Sequence, residues 1–231
     1  MILTNIFKQL SAEEKQQREL NKKLISAISG SAAEVENLIE QGADPNATTS
    51  SGATVAATAV LYANSGNSVI PAAQEILQCL AEAGANMTQA RETASAQSGH
   101  VLKSLLDQMA TPQWWTDRLL DAARSGNASR VERILEQGVD PNTLNRDGVG
   151  ALKELIDGYN KFVLWNGTLD TTLVRKTKAD FLKSAQILVA GGADITGGGS
   201  SLAVRTLPND ALKSFLAAEW EQKVYPRPDP R

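Results

Sequence analysis

The amino-acid sequence predicts an all-α solenoid of about six irregular helix-turn-helix repeats, preceded by an N-terminal capping helix. The main observation is an internal match, because VENLIEQGADPN at 35–46 returns at 131–142 as VERILEQGVDPN, 96 positions later. A match of this length at a fixed offset is typical of repeat proteins. Only 5 % of the chain is aromatic, so we expect a core of Ala, Leu, Ile and Val in closely packed helices.

Charge and composition exclude several classes of protein. The net charge of −3 gives no global basic field for nucleic acid, and a single cysteine excludes an internal disulfide framework. No stretch approaches the roughly 18 apolar residues that span a bilayer, and the N-terminus lacks the pattern of a signal peptide. The sequence as given therefore indicates a cytoplasmic protein without a membrane span. A periplasmic or secreted location follows if a leader has been removed.

Residues 1–23 are expected to form the helical cap. Apolar residues at helical spacing predict a short first helix up to Leu10, and Ser11 with Glu14 forms a capping box that predicts the start of a second one. Solenoid ends need a polar outer face, which this charged segment supplies. A membrane-surface helix is the alternative interpretation.

Two blocks of three repeats follow, at 24–110 and 111–220. In both strong copies a glycine ends the second helix, and Asp-Pro-Asn then turns the chain. Weaker copies occur at Gly84-Ala85-Asn86 and Gly192-Ala193-Asp194, where the offset has grown to 108. The junction is placed at Thr111-Pro112, and the proline-rich tail at 221–231 is expected to be extended.

One insertion lengthens the middle repeat of each block. The first lies around residues 63–68, and the second runs from about 158 to 178. The second carries three aromatic and three basic residues: Tyr159, Phe162, Trp165, Arg175, Lys176 and Lys178. Long inserts in compact repeats are often functional. Lengthened helices that pack on their neighbours are the equally weighted alternative.

These units resemble the ankyrin repeat, about 33 residues of β-turn and two helices. The family's A-x-x-G, V-x-x-L-L and G-A-D-x-N patterns occur twice, at the following positions: Ala27/Gly30, Val35/Leu38/Ile39 and Gly42/Ala43/Asp44/Asn46, then Ala123/Gly126, Val131/Ile134/Leu135 and Gly138/Val139/Asp140/Asn142. The family's T-P-L-H motif is replaced, for example by Thr54-Val-Ala-Ala57 and Gly150-Ala-Leu-Lys153. The resemblance therefore implies an irregular solenoid.

The resemblance also implies protein recognition through loop tips and inner helices. On that analogy the candidate contact residues at the tips are Thr48, Thr49, Asn145, Arg146 and Asp147. The aromatic insert supplies a second set, Tyr159, Phe162 and Trp165, because exposed aromatic side chains anchor interfaces.

The search for chemistry gives no catalytic, cofactor or metal site. Cys79 and His100 are single residues of their type, and each has a structural explanation within the repeats. Zinc needs several Cys or His ligands. The glycines at 191–199 resemble a phosphate loop, but no Lys-Ser or Lys-Thr follows them.

The leading functional hypothesis is a monomeric, non-catalytic module that binds and blocks one partner protein. Small stand-alone ankyrin proteins resemble bacterial immunity or self-protection proteins, which cover the active site of a hydrolase. A general adaptor, a secreted effector that acts on host proteins and an enzyme are the competing hypotheses.

Overall fold

The computed structural model describes residues 2–63, 70–96, 100–166, 169, 171–197, 200–208 and 210–224. These residues form twelve α-helices and no β-strand, which agrees with the all-α prediction. The only extended pairings among them are two isolated antiparallel bridges. The helices are α1 Ile2–Ala27, α2 Ala32–Glu40, α3 Val55–Ala63, α4 Ile70–Glu82, α5 Thr88–Ala96, α6 His100–Gln108, α7 Pro112–Ser125, α8 Ala128–Glu136, α9 Ala151–Asn166, α10 Thr172–Ala190, α11 Ser200–Thr206 and α12 Ala211–Val224.

The chain divides into two compact units, Met1–Thr111 and Pro112–Arg231. In the first unit α1, α3 and α5 pack in sequence, and so do their partners α2, α4 and α6. The second unit repeats this arrangement, with α7, α9 and α11 in one row and α8, α10 and α12 in the other. Each unit is therefore three stacked helix pairs, and consecutive pairs share a two-layer core.

The N-terminal segment differs from the expectation in one respect. Helix α1 runs without interruption from Ile2 to Ala27, so Ser11 and Glu14 lie in its interior and do not begin a new helix. The segment contains neither glycine nor proline, so no residue forces the backbone out of helical geometry. A Ser-x-x-Glu pattern acts as a cap only where the backbone already leaves the helix.

Equivalent glycines end the second helix of the first two pairs in each unit. Gly42, Gly84, Gly138 and Gly192 all have positive φ angles, between 82° and 98°, a region that glycine occupies without a Cβ penalty. The amide of each glycine donates to a carbonyl of the preceding helix at 2.9 Å. The internal match in the sequence thus corresponds to four geometrically similar helix exits.

The asparagine of the Asp-Pro-Asn turn joins one helix exit to the next. In the first unit Asn46 accepts from the Asn86 amide at 2.7 Å and donates to the Gly84 carbonyl at 3.4 Å. In the second unit Asn142 makes the corresponding bonds to the Asp194 amide at 2.6 Å and the Gly192 carbonyl at 3.0 Å. These side chains satisfy backbone groups that the helix exits leave open.

Helix α1 supplies the same bonds to the first exit. Asn21 Oδ1 accepts from the Asp44 amide at 2.9 Å, and Gln17 Nε2 donates to the Gly42 carbonyl at 2.8 Å. Polar side chains of α1 therefore take the role that the turn asparagines have elsewhere. This is the physical sense in which α1 caps the first unit.

Both units bury aliphatic side chains between their two helix rows. The apolar core of the second unit runs through every one of its helices and includes the buried aromatics Tyr159 and Phe181. The largest fully buried side chains of the first unit are Leu24, Ile76, Leu77, Leu80 and Leu106.

Two predicted segments lie partly outside the described residues. The first insertion falls mostly on 64–69, and the tail on 225–231, neither of which the structure describes. Helix α12 continues to Val224, so the first four residues of the expected tail are helical and not extended.

Candidate partner-binding surface

Two short hairpins follow the Asp-Pro-Asn turns, and their backbone geometry is the same. The bridges pair Thr48 with Thr54 and Leu144 with Gly150. Gly52 and Gly148 close the two tips with φ angles of 81° and 74°. Because these pairs are 96 positions apart, the internal repeat extends from the helices into the loops.

The polar candidates of the hairpins divide into two groups. Thr49 and Asn145 are half-buried and bond the hairpin itself: Thr49 Oγ1 accepts from the Ala53 amide at 3.1 Å, and Asn145 Oδ1 accepts from two amides at 2.9 Å. These two side chains shape the tips. Thr48, Arg146 and Asp147 are exposed and so remain accessible to a partner.

The second insertion lengthens two antiparallel helices. Helix α10 has 19 residues and α8 has nine, and they are followed by the equivalent exit glycines Gly192 and Gly138. At a rise of about 1.5 Å per residue, the ten additional residues carry α10 about 15 Å past the start of α8. We call residues 160–181, which include the end of α9 and this part of α10, the helical extension. Gly167, Thr168 and Asp170 lie outside the described residues.

Two of the three aromatic candidates belong to the base of this feature. Tyr159 is only 1 % exposed, which removes it from the side chains that a partner can reach and corrects the expectation. Its ring meets Phe181 edge-on at 5.3 Å, and its hydroxyl donates to Asp210 Oδ2. Burial, together with the bond to Asp210, raises the pKa of the Tyr159 hydroxyl. Phe162 is half-buried and packs against the core, and its ring centroid lies 6.0 Å from that of Phe181.

The end of the helical extension exposes a cluster of large apolar side chains. Trp165 is 75 % exposed, and Leu164 beside it is 83 % exposed. Leu173 in the first turn of α10 is 72 % exposed, and Leu169 between the two helices is 53 % exposed. Sequence reasoning singled out Trp165 but missed the three leucines, because it weighted aromatic and basic residues. The sequence did contain an indication of this exposure. Residues 162–174 carry more large apolar side chains than a single buried helix face can accommodate.

Cations flank the apolar cluster in the sequence. Lys161, Arg175 and Lys176 are exposed. Residues 158–190 contain five Lys or Arg and two Asp, a net charge of +3 in a chain whose net charge is −3. This part of the chain is therefore basic, in contrast to the acidic whole.

A pocket of about 460 Å³ lies at the base of the helical extension, and Trp165, Phe162 and Phe181 are among its lining residues. Behind it α9 approaches α7 closely: a Cβ on Gly158 would lie 1.9 Å from the Arg124 carbonyl oxygen. The Arg124 guanidinium also donates to Glu154 at 2.8 Å, and this bond raises the pKa of Arg124. The extension therefore stands on a tightly packed pair of helices.

The structure places the two residues considered for catalysis in separate helices. Cys79 is half-buried in α4, and His100 begins α6 but its side chain lies outside the described part. Among the residues that the structure describes, no group of three His, Cys, Asp or Glu side chains could hold a metal ion. None of the described helices combines the length and apolar character needed to cross a bilayer.

Comparison with known proteins gave no match, either to a protein-family model or to a curated protein.

Proposed function

We propose that this chain is a non-catalytic protein-binding module of the ankyrin-repeat type, which binds one partner protein and blocks its activity. The observation that carries the proposal is the exposure of Leu164, Trp165 and Leu173 at the end of the helical extension. Several large apolar side chains exposed at one end of a helix pair are typical of interaction sites, and Trp is among the residues that most often dominate binding energy. The surrounding cations would steer and orient an acidic partner.

The ankyrin part of the proposal is supported by the repeated local geometry. Helix pairs alternate with glycine exits, and hairpins of the same form follow the Asn46 and Asn142 turns. The pairs α1/α2 to α11/α12 would represent six repeats, with α1 both capping and contributing to the first. Such stacked units hold loop tips in fixed positions, which lowers the entropic cost of recognition.

Blocking, as opposed to simple tethering, is supported by shape. The helical extension continues about 15 Å past the start of α8, and a projecting apolar end fits a concave surface such as an active-site cleft. A hydrolase is the partner class we favour. An adaptor that leaves its partner active is the second outcome the experiment must separate.

Affinity capture from the source organism, with the purified chain as bait, tests the proposal. Trp165→Ala and Leu173→Ser should each reduce recovery of the partner at least tenfold, because both remove apolar contact area. Val101→Ser is the matched control, since Val101 is 54 % exposed on α6 of the first unit, and it should leave recovery unchanged.

The activity of the captured partner is then measured with and without the chain. Inhibition that disappears with Trp165→Ala supports a blocking module, whereas full activity in the complex leaves only the adaptor. Hydrolase activity of the chain itself that is abolished by His100→Ala would overturn the non-catalytic assignment.

A further inference from the structure

The side chain of Gln89 bonds the first hairpin to the next helix pair. Gln89, in the first turn of α5, accepts a hydrogen bond from the Thr54 amide through Oε1 at 2.7 Å. Its Nε2 lies 3.5 Å from the Gly52 carbonyl, which it faces as a donor. A primary carboxamide therefore fills the gap between this hairpin and the following turn, using both its acceptor and its donor.

The second hairpin has the same backbone but lacks this side chain. At the offset of 96, Gly150 and Gly148 correspond to Thr54 and Gly52; at the later offset of 108, Gly197 corresponds to Gln89. Glycine has no side chain that could reach the hairpin. In the described part of the chain, the structure shows no hydrogen bond from the Gly150 amide.

The alignment of Gly197 with Gln89 has geometric support. The Thr88 amide donates to Asn86 Oδ1 at 2.9 Å, and the Thr196 amide donates to Asp194 Oδ1 at 3.0 Å. Both turns therefore have the same local form immediately before the compared position. The difference at Gly197 is a difference of side chain in an equivalent backbone.

A groove of about 410 Å³ occupies the corresponding place in the second unit. Its lining combines an apolar wall with the Gly150 backbone and the edge of the following turn: Leu144, Gly150, Leu152, Asp194, Gly197 and Ser200. Leu144 is 51 % exposed. Its counterpart in the first hairpin is Thr48, so the second hairpin presents an apolar side chain where the first presents a polar one. Gly150 is itself a buried residue, so the groove places an amide donor that has no acceptor among the described residues beside an apolar wall.

We infer that this groove binds the primary carboxamide of a Gln or Asn side chain presented by a partner protein. The bound group accepts from the Gly150 amide and donates towards the Gly148 carbonyl, as the Gln89 amide does in the first unit. A carboxylate has no proton to donate and would meet the Asp194 carboxylate. A methyl or thioether group would leave the Gly150 amide unsatisfied, which disfavours binding.

The choice of a protein as the source of the amide rests on the proposed protein-binding function. The groove adjoins the hairpin that carries the exposed Arg146 and Asp147, so a bound polypeptide would also contact these side chains. Free glutamine offers the same carboxamide but none of those neighbouring contacts. The test below therefore includes both sources.

The amide signal of Gly150 in the full-length chain gives a direct readout by NMR. N-acetyl-glutamine-N-methylamide is the probe, with the corresponding Glu and Met compounds and free glutamine as comparisons. We expect a saturable shift of the Gly150 amide signal with the Gln probe, and at least threefold weaker binding of the other three. The Thr54 amide should not respond, because its N–H already donates to Gln89 Oε1.

Two substitutions at one position provide the matched test. Gly197→Gln supplies an internal carboxamide and should weaken the Gly150 response to the probe at least fivefold. Gly197→Ala adds a Cβ without an amide and should retain the response. Either Cβ would lie 2.8 Å from Asp194 Oδ2, so the displacement of that carboxylate is common to both variants and cancels in their comparison. Equal melting temperatures of the two would exclude a folding defect of Gly197→Gln as the cause.

The inference is wrong if the Gly150 amide shows no saturable shift, if the Glu or Met compound binds as well as the Gln probe, or if the response survives in Gly197→Gln. Free glutamine that binds as well as the blocked probe would replace the protein source by a small-molecule one. Probe binding without any captured partner would contradict the proposed function, and with it the protein source of the amide, but not the carboxamide preference of the groove. Capture of a partner without probe binding would contradict this inference and leave the proposed function intact.

Discussion

The two units have the same arrangement of helices and turns, but they differ in the side chains that join neighbouring elements. In the first unit Tyr62 reaches from α3 to the Ser29 carbonyl at 3.2 Å, and Gln89 closes the first hairpin. The corresponding positions of the second unit are Gly158 and Gly197. Gly158 lets α9 pack directly on α7, and Gly197 leaves a groove. The same kind of substitution, a side chain replaced by glycine, thus gives a firmer helix contact in one place and an open site in another.

Under the proposed function, the second unit carries the binding surface and the first unit mainly contributes stability. The second unit contains the helical extension, its exposed apolar cluster and the open groove at its hairpin. The first unit keeps the same turns but closes its hairpin internally. The following predictions test the packing and hydrogen bonds on which the comparison of the two units rests, and they are ordered by the size of the expected effect.

Truncation of one core residue in each unit should have the largest effect. Ile134 is fully buried and Leu38 is 6 % exposed, so Ile134→Ala and Leu38→Ala should each lower the free energy of unfolding by about 2–5 kcal/mol. Chemical denaturation followed by circular dichroism measures both. Unchanged midpoints in the two variants would mean that these helices do not pack as described.

Gly158→Ala should lower the free energy of unfolding by about 1–3 kcal/mol, because the new methyl group would overlap the Arg124 carbonyl oxygen. Lys161→Ala, three residues later on an exposed face of the same helix, should change it by less than about 0.5 kcal/mol. Thermal unfolding of both variants tests the contrast. Similar values would show that α9 and α7 are not in close contact.

The turn asparagines should have intermediate effects that differ between the units. Asn142 makes bonds of 2.6 and 3.0 Å, whereas the bonds of Asn46 are 2.7 and 3.4 Å. At about 0.5–1.5 kcal/mol for each hydrogen bond, Asn142→Ala should cost about 1–3 kcal/mol and Asn46→Ala less. Urea denaturation can rank them, and the reverse order would contradict the bonding pattern.

The smallest effect concerns pH, since the second unit has Asp194 where the first has Asn86. Bonds from Thr196, followed by that from Lys223, lower the pKa of the Asp194 carboxyl in the folded state. The unfolded chain therefore takes up a proton first as pH falls below the ordinary Asp value of about 3.9, and stability decreases through that range. Asp194→Asn should lessen this acid sensitivity in urea titrations, while Asn86→Ala should not affect it. An unchanged acid slope in Asp194→Asn would contradict the prediction.

Much of the repeated framework could be predicted from the sequence. The glycine exits and Asp-Pro-Asn turns have strong local chemistry, so Gly42 and Gly138 could be placed from residue type and spacing alone. The offset of 96 could also have shown that Tyr159 is buried, because it aligns with Ala63, itself buried. The expectation that Tyr159 contacts a partner gave more weight to its aromatic character than to that alignment.

The rest depended on contacts that residue types do not specify. The close approach at Gly158 involves a backbone atom of another helix, and a lone glycine within a helical pattern does not reveal it. The unbroken α1 also could not be predicted, because a capping box and a helix interior can have the same sequence. The exposure of Leu164 and Leu173 follows from the length of two helices relative to their neighbours.

The most direct test of the account is hydrogen–deuterium exchange of the full chain, alone and with its captured partner. If the second unit carries the binding surface, protection should appear in peptides covering 161–176 and 144–150, with little change at 48–54. Protection at 48–54 comparable to that at 144–150, or none at 161–176, would contradict it.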